Sequence, residues 1–432
     1  MPKSRNEGVL DRLSGREAKD RLAAIYGKTA AGAQLRRYET LLERLTDQGG
    51  EGSNGGAEPR FYSAPGRTEL GGNHTDHNRG RVLCAAVDLD AVACVLPTAD
   101  SKVRILSEGW ADPIVVDLSE LEPVASERGR TEALVRGVAR GLADRGQSPR
   151  GFEARIHSTV LPGSGLSSSA AIEVLLGTIM ADLAGARIEP VEIARIGQSA
   201  ENRFFGKPCG LMDQTASAVG GIVGIDFADP ARPKVARIDF DFGKEGYALA
   251  VVNTGGSHAD LTPDYAGIPA EMCAVARFLG ANYLREVAPS DLVARGPEIR
   301  AACGDRALLR ALHFAGENAR VPEMVAALED RDMKAYLKLV KKSGDSSWRL
   351  LQNLYPPESP AEQGPSLAVA LSQDFLGKKG AARVHGGGFA GTIQAYVPVD
   401  LFDEWKALME RFFGAGSVIP IQARSIGATR VF

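Results

Sequence analysis

The sequence predicts a mixed α+β protein that is divided into two domains. Its 432 residues exceed the roughly 250–300 at which a single hydrophobic core stops growing. From about residue 61 onward, short β-type runs alternate with helical stretches, which is typical of sheets covered by helices. A glycine-rich stretch at 49–56 separates this region from a helical leader. We therefore expect a leader over 1–60 followed by two mixed domains.

The predicted elements follow one another along the chain. The leader is helical over about 8–47, and its apolar side chains lie on one face: Leu35, Tyr38, Leu41, Leu42 and Leu45. We expect it to pack on the outside of the core. The pattern of the first domain, 61–245, predicts a helix at 131–144 and strands at 82–87, 91–97, 102–107 and 152–159. The pattern of the second domain, 246–432, predicts a strand at 247–253 and, near its end, the strand 391–397, the helix 401–413 and a strand-like tail at 416–431.

Composition excludes several classes of function. The net charge of −3 argues against nucleic acid or an anionic membrane as the main partner. Five cysteines, an odd number without close pairs, are typical of reduced thiols in a cytoplasmic protein. The six histidines lack metal-ligand spacing, and the first residues are too polar for a signal peptide. No apolar run of about 18 residues occurs. We expect a cytoplasmic protein with small-molecule ligands and no obligate protein partner.

The segment 65–77, PGRTELGGNHTDH, has the most informative composition in the chain. It places a guanidinium, carboxylates, an amide and two imidazoles within thirteen residues that glycines interrupt. Such a loop can hold a small polar ligand through many hydrogen bonds. A solvated turn has a similar composition, so this segment alone leaves both interpretations open.

The segment 160–171, VLPGSGLSSSAA, combines glycines with the start of an apolar helix. Gly163 and Gly165 allow positive-φ backbone whose N–H groups converge on an anion. The serines that follow lie where the helix begins, and a helix N-terminus offers free N–H groups and a positive dipole end to a phosphate. No lysine follows the glycines, so this is not a Walker A loop. An ordinary capped helix after a turn is the alternative.

The segment 201–214, ENRFFGKPCGLMDQ, ends where another helical run begins. Pro208 and Gly210 break the chain just before Asp213. A carboxylate near a helix N-terminus is stabilised in its ionised form. Taken alone, Asp213 is compatible with a helix cap as well as with a catalytic base.

These three segments and a late glycine cluster, RVHGGGFAG at 383–391, resemble the galactokinase branch of the small-molecule kinases. That superfamily also includes homoserine, mevalonate and phosphomevalonate kinases. The motifs occur in the family order from about residue 61 to the C-terminus. The segment 160–171, hereafter called the serine loop, and the glycine cluster are typical of the superfamily. The loop from Arg67 to Asp76 and the segment from Cys209 to Gln214 are typical of its sugar kinases.

The resemblance implies both architecture and activity. It implies an N-terminal domain of mixed sheet and helices, a ferredoxin-like C-terminal domain, and an active site in the cleft between them. The expected reaction is transfer of the γ-phosphate of ATP to the anomeric hydroxyl of a sugar, with Mg²⁺ as cofactor. The resemblance favours galactose as the sugar.

Residue by residue, the resemblance assigns the nucleotide side of the site. The expected ATP-binding residues are Gly163, Ser164, Gly165, Leu166, Ser167, Ser168 and Ser169. Ser169 and Glu201 match the Mg²⁺ ligands, and hydroxyl and carboxylate oxygens suit that ion. Glu201 is otherwise compatible with a surface charge.

The resemblance assigns the sugar side in the same way. Asp213 matches the catalytic carboxylate, which accepts the proton of the anomeric hydroxyl or only orients that hydroxyl. Arg67 lies beside it, where a guanidinium keeps the carboxylate ionised. The residues that match sugar contacts are Asn73, His74, Thr75, Asp76, Gly210 and Tyr265. Tyr265 is also compatible with a plain core aromatic.

Three positions depart from the family pattern, namely Asn73 in place of Glu, His385 in place of Thr or Ser, and Ala390 in place of Gly. The family Glu faces the C6 hydroxyl of the hexose. Two unit charges 4 Å apart repel by about 4 kcal/mol at an effective dielectric of 20, so a Glu excludes a uronic acid that an Asn amide can bind. A kinase for galacturonic acid or another C6-altered sugar is therefore the alternative to a galactose kinase.

A sugar sensor without catalytic activity is the second alternative, because one relative in this family signals galactose by binding a protein. That relative has lost residues directly after the serine run, whereas Ser169, Ala170 and Ala171 are present here. Arg67 and Asp213 are present as well. The sequence therefore favours an active kinase.

Overall fold

The described strands form two sheets with helices packed against both. The structure is a computed structural model, and it describes residues 5–47, 57–110, 112–160, 165–256, 261–389 and 391–432. Among the helices in this part of the chain, none is long and apolar enough to cross a bilayer.

The larger sheet has eight strands in the order β12-β1-β2-β5-β3-β4, and β6 pairs with β2 and with β7. Its strands are β1 Arg60–Gly71, β2 Arg81–Pro97, β3 Lys102–Ser107, β4 Ile114–Asp117, β5 Phe152–Ser158, β6 Ile222–Asp226, β7 Lys234–Ile238 and β12 Thr429–Arg430. The β3–β5 pair is parallel, and the other pairs of this sheet are antiparallel. Because β12 comes from the end of the chain and pairs with β1, the C-terminal tail completes the first sheet.

The smaller sheet has four antiparallel strands in the order β11-β8-β10-β9. These strands are β8 Tyr247–Asn253, β9 Ala381–Val384, β10 Thr392–Pro398 and β11 Val418–Ile421. The α-helices that follow the leader are α4 Thr131–Ala143, α5 Ser168–Leu183, α6 Pro190–Ala200, α7 Met212–Val219, α8 Thr262–Phe278, α9 Pro289–Ala294, α10 Gly296–Cys303, α11 Asp305–Glu329, α12 Met333–Ser346, α13 Gly364–Leu376 and α14 Phe402–Phe413.

Three clusters of buried apolar side chains hold these layers together. The largest joins the eight-stranded sheet to helices α4 to α7 and reaches α11 and α12. Helix α5 is apolar around most of its circumference, as expected of a helix buried inside the protein. A second cluster lies between the four-stranded sheet and helices α13 and α14, with Trp405 fully buried, and a third joins helices α8 to α11.

The leader folds into three helices rather than one, α1 Arg5–Ser14, α2 Arg16–Tyr26 and α3 Ala31–Asp47. Gly27, with φ of 81°, ends the second of them. Their apolar faces pack together against the outer side of β1, β2 and the chain end. The Tyr38 ring makes edge contacts with Phe61 at 5.7 Å and with Phe432 at 5.8 Å. The leader thus packs on the outside of the core, as expected from the sequence.

Strand β2 is continuous, although the sequence predicted separate strands at 82–87 and 91–97. The structure pairs Asp90 with Pro65 of β1 and buries its carboxylate against Arg37 and Arg424. Because both arginines come from distant parts of the chain, no local pattern shows that the strand continues. The predicted domain boundaries at 61 and 246 stay predictions.

The buried ion pair between Arg424 and Asp90 has a testable consequence for stability. Both side chains are fully buried, and the nitrogen-to-oxygen distance is 2.9 Å. We expect Arg424→Ala to lower the free energy of unfolding by about 3–5 kcal/mol, because it removes one partner of a buried pair. Urea titration measures this change.

Arg430→Ala is the matched control, since it removes an arginine from the same tail whose side chain is 47% exposed and lies 3.5 Å from Asp182. Exposed pairs contribute about 0–1 kcal/mol. Equal losses in the free energy of unfolding would contradict the expectation that the buried pair contributes more to stability than the exposed pair.

Candidate active site

A bidentate ion pair between Arg67 and Asp213 lies at the centre of the predicted site. Asp213 lies in the first turn of α7, while Arg67 lies on β1 between two register shifts that interrupt the regular pairing with β2. Irregular pairing of this kind redirects side chains. The Nε and Nη2 atoms of Arg67 each donate to a different oxygen of Asp213 at 2.6 Å. The Asp213 side chain is 30% exposed, compared with 7% for Arg67.

The same arginine also holds the serine loop. Its Nη1 donates to the carbonyl oxygen of Gly165, and its backbone N–H donates to the carbonyl oxygen of Leu166 at 3.0 Å. Gly165 has φ of 72°, and a Cβ atom there would lie 2.7 Å from Nδ1 of His385. The predicted positive-φ glycine is thus confirmed at this position. Arg67 therefore fixes the distance between the carboxylate and the loop.

The surroundings of Asp213 keep its carboxylate ionised. Burial acts to raise its pKa, but the charge of Arg67 and hydrogen bonds from Arg67 and Ser167 outweigh burial, so the pKa of Asp213 is lowered. A carboxyl group whose pKa is lowered below its usual value is deprotonated throughout the neutral range. Asp213 does not cap its helix, since its oxygens are bound by Arg67 and Ser167.

The serine run begins helix α5 as predicted. Ser167 takes a left-handed conformation with φ of 58° directly before the helix, and its hydroxyl donates to Asp213. Ser168 is the first helical residue, which places its N–H group and that of Ser169 in the unpaired first turn. The Leu166 side chain is buried in the core, so only its backbone is available to a ligand. Gly163 and Ser164 lie outside the described residues.

The two predicted metal ligands lie side by side. The hydroxyl of Ser169 donates to Oε1 of Glu201 at 3.3 Å, and Glu201 begins a π-helical turn, Glu201–Phe205, directly after α6. Such turns occur often at functional sites. Gln214 donates to Oε2 of Glu201 at 3.1 Å and to Oε2 of Glu173 at 2.9 Å. Burial and the charge of Glu201 raise the pKa of Glu173 well above its usual value.

This arrangement suits Mg²⁺. It offers hard oxygen donors from Ser169 and Glu201, and Oε1 of Glu173 is buried without a hydrogen-bond partner. Within the described part of the chain, no cluster of three or more His, Cys, Asp or Glu side chains has the geometry of a metal site. The ion would therefore take its remaining ligands from water and nucleotide, as Mg²⁺ commonly does.

The predicted sugar residues come together from both halves of the chain. Nε2 of His74 lies 2.9 Å from the carbonyl oxygen of Gly387, and burial together with the nearby His77 lowers the pKa of His74 to about 3. Tyr265 donates to the carbonyl oxygen of Gly388 at 2.9 Å, so it belongs to the site's framework as well as packing edge-on against an aromatic ring.

Gly210 and Asp76 lie against each other. A Cβ atom at Gly210 would overlap the carboxylate of Asp76, so only glycine permits this close approach. Oδ1 of Asp76 also accepts a hydrogen bond from the backbone N–H of the next residue, His77, at 3.0 Å. The structure therefore brings the loop 65–77 and the segment 201–214 into direct contact.

Two predicted sugar contacts, Asn73 and Thr75, have side chains that are hydrogen-bonded within the protein, and their role in sugar binding stays a prediction. Asn73 is fully buried; its amide donates to Glu69 at 3.1 Å and to the carbonyl of Gly386 at 2.7 Å. Its Oδ1 accepts from Asn353 at 2.9 Å and from Ser347 at 3.2 Å, so the hydrogen-bonding capacity of the amide is used.

Thr75 is buried too. Its hydroxyl lies 2.6 Å from the carbonyl oxygen of Arg81 and 2.9 Å from that of Gly72. The side chain thus closes the turn and leaves no free donor. Both side chains shape the loop. Thr75 does so through carbonyl groups close in sequence, whereas Asn73 also binds three residues that are distant in sequence.

Comparison with known proteins agrees with this geometry. The family model for the "GHMP kinases N terminal domain" matches residues 133–221, and the "Galactokinase galactose-binding signature" matches residues 53–97. A galactokinase of Streptomyces coelicolor is 36% identical over 370 residues, which is 84% of this chain and 92% of that protein. The chain belongs to the galactokinase family. A galactokinase of Actinobacillus pleuropneumoniae serotype 3 is 33% identical over 80% of this chain and 87% of its own length.

Solved structures share the fold of this galactokinase-family chain. Lactococcus lactis galactokinase, determined in complex with galactose, matches with a TM-score of 0.76 at 24% identity and covers 90% of this chain and 99% of that chain. A mevalonate kinase matches with a TM-score of 0.60 at 16% identity, covering 84% and 99% of the two chains. These matches confirm the predicted mixed fold of the superfamily.

Sequence reasoning assigned no role to several residues of this galactokinase-family site. Gln214 follows Asp213 directly, and it joins the two buried glutamates. Glu69 lies within the loop 65–77, yet its partner is the buried Arg383 at 2.5 Å. A buried charge needs a buried counter-charge, but the sequence does not reveal which arginine supplies it. His385 bridges Thr68 and Thr392 at 2.8 and 3.3 Å.

Proposed function

We propose that this protein is a galactokinase, which transfers the γ-phosphate of ATP to the anomeric hydroxyl of galactose. The observation that carries the proposal is the ionised Asp213, held by Arg67 and Ser167 beside the start of helix α5. A carboxylate next to a phosphate-binding helix N-terminus is the arrangement that phosphoryl transfer to a hydroxyl requires. Curated galactokinases at 33% and 36% identity support it.

The mechanism follows from the contacts of Asp213. Its carboxylate orients the anomeric hydroxyl and accepts the proton as the oxygen attacks the γ-phosphorus and the bond from that phosphorus to the bridging oxygen of ADP breaks. Arg67 holds the carboxylate in place through two hydrogen bonds and offsets negative charge near the transferred group. Since Arg67 also binds Gly165, acceptor and donor sides are aligned by one side chain.

Helix α5 supplies the nucleotide side. The N–H groups of Ser168 and Ser169 at its N-terminus stabilise phosphate oxygens, together with the positive end of the helix dipole. Ser169 and Glu201 would hold Mg²⁺, which neutralises phosphate charge when bound.

The five cysteines are free thiols, which supports a cytoplasmic location.

The structure favours galactose over a C6-altered sugar. The argument for galacturonic acid required a free N–H of Asn73, but both N–H groups already donate to Glu69 and Gly386. The carboxylate of Glu69 lies 3.1 Å from that amide and already accepts the hydrogen bond that a uronic acid carboxylate would need. No described contact therefore favours a uronic acid, and galactose remains the proposed substrate.

A panel of free sugars tests the proposed function. Galactose, galacturonic acid, glucose and a pentose are incubated with enzyme and ATP, and ADP release is followed. We expect galactose to be turned over fastest, and phosphorus NMR to identify the product as galactose 1-phosphate. Turnover of galacturonic acid without turnover of galactose would contradict the proposed substrate, whereas binding of galactose without ADP release would indicate a sensor.

We expect Asp213→Asn to reduce kcat by about 10²–10⁴-fold, which is the usual contribution of general base catalysis. Galactose and ATP still bind, because the amide keeps the shape of the carboxylate. Steady-state kinetics and calorimetric titration measure the two effects. Asp229→Asn, which alters an exposed carboxylate, serves as the control. An Asp213→Asn enzyme with more than a tenth of the wild-type kcat would show that Asp213 has only a structural role.

Turnover is expected to require Mg²⁺, and both Ser169→Ala and Glu201→Gln should raise the Mg²⁺ concentration that gives half-maximal rate. Each substitution removes or neutralises one of the two oxygen donors that lie 3.3 Å apart. Mg²⁺ titrations at saturating galactose and ATP provide the measurement. If both variants keep the wild-type Mg²⁺ dependence, Ser169 and Glu201 are not its ligands.

A further inference from the structure

The leader is connected to the catalytic centre through one buried carboxylate, that of Asp90. Nη1 of Arg37, on leader helix α3, donates to Oδ1 of Asp90 at 2.9 Å. Tyr26, on leader helix α2, donates to Oδ2 at 2.5 Å, and Ser63 of β1 donates to the same oxygen at 2.5 Å. Arg424 completes the set at 2.9 Å. Asp90 is therefore bound by the leader, by β1 and by the C-terminal tail.

The charge on Asp90 makes these contacts strong. Burial acts to raise its pKa, but Arg37 and Arg424 outweigh burial, so the pKa of Asp90 is lowered and the carboxylate is ionised. Hydrogen bonds between charged groups are roughly twice as strong as neutral ones. The Arg37 side chain is only 15% exposed, so water screens its interaction with Asp90 weakly.

The backbone of Asp90 holds the strand end that precedes the serine loop. Its carbonyl oxygen accepts the N–H of Thr159 at 2.9 Å, and its own N–H donates to the Thr159 hydroxyl at 3.0 Å. Arg37 binds that same carbonyl oxygen through Nη2 at 3.4 Å, and its Nε donates to Nδ1 of His157 at 3.1 Å. Arg37 thus contacts both strands at the point where β5 ends.

A second connection runs along β1. Asp90 pairs with Pro65, two residues before Arg67. A Cβ atom at Gly66 would lie 3.1 Å from the Val160 side chain and 2.9 Å from the carbonyl oxygen of Leu166, so this part of β1 packs directly on the serine loop. Arg67 then binds Leu166. Any shift of Asp90 therefore displaces the segments that position the loop.

We propose that Arg37 is a positioning residue for the nucleotide: through Asp90, the leader sets the place of Thr159 and of the stretch 65–67, which together hold the serine loop. The inference rests on the proposed function, because it assigns the serine loop to ATP. Its effect falls on ATP more than on galactose, since the part of the loop 65–77 that carries His74 lies beyond the stretch 65–67 and is held by Gly387.

Arg37→Ala tests the proposal in the full-length protein. We expect the KM for ATP to rise about fivefold or more, as partial loss of charge-assisted hydrogen bonds implies, while the KM for galactose stays within twofold. Calorimetric titration with ATP alone should show the same weakening. That titration does not depend on which sugar is the substrate, so failure of the proposed function and failure of this inference are distinguishable.

Arg21→Ala is the matched control, because Arg21 also joins the leader to the tail, by donating to Thr429 at 2.8 Å, but makes its contact away from Asp90. We expect its KM for ATP to equal that of the wild type. A merely structural role would reduce the amount of folded enzyme and leave both KM values unchanged. Unchanged affinity for ATP in Arg37→Ala, or equal changes in both variants, would overturn the proposal.

Tyr26→Phe provides a second variant that keeps the buried ring and removes only the hydroxyl bound to Asp90. We expect a smaller change in the same direction, a rise of about twofold in the KM for ATP. If Arg37→Ala does not fold, this variant decides: a KM for ATP equal to that of the wild type, with the enzyme folded, would overturn the proposal.

Discussion

The two hydrogen bonds from Arg67 to Asp213 are the interaction on which the rest of the site depends. They keep the carboxylate ionised although it lies in a buried region, and they leave it partly exposed to a ligand. The third nitrogen of the same guanidinium, Nη1, donates to the carbonyl oxygen of Gly165. A single planar side chain therefore sets both the protonation state of the base and its distance from the nucleotide loop, which a lysine, with one point charge, would not do.

Three sets of contacts hold this ion pair in place, and each of them includes a buried acidic side chain. Asp90 binds the leader and the tail to the strand that carries Arg67. Glu69, two residues beyond Arg67, pairs with Arg383 of the smaller sheet and so joins the two sheets. Glu173 and Glu201 are joined by Gln214 behind the serine loop. A buried ion pair gives little net stability compared with well-packed apolar side chains, but the loss of one partner is costly because the other charge stays buried.

The sequence predicted the chemistry of the site better than the direction of its side chains. Arg67, Ser169, Glu201 and Asp213 lie together as expected, because motifs with glycines and helix starts specify local geometry directly. The sequence did not show that the Asn73 side chain is hydrogen-bonded within the protein, since three of its partners, Ser347, Asn353 and Gly386, lie more than 270 residues away. For the same reason, β2 was wrongly divided at Asp90, whose counter-charges come from both ends of the chain.

A double-mutant cycle tests most directly whether Arg67 and Asp213 act as one unit. The values of kcat/KM for galactose are compared for wild type, Arg67→Met, Asp213→Asn and the double variant, with single-turnover measurements for the slow enzymes. Residues that act together are strongly non-additive, so we expect the double variant to be within a few-fold of the slower single variant. A double variant in which the two losses multiply would contradict this account, because the arginine and the carboxylate would then contribute independently.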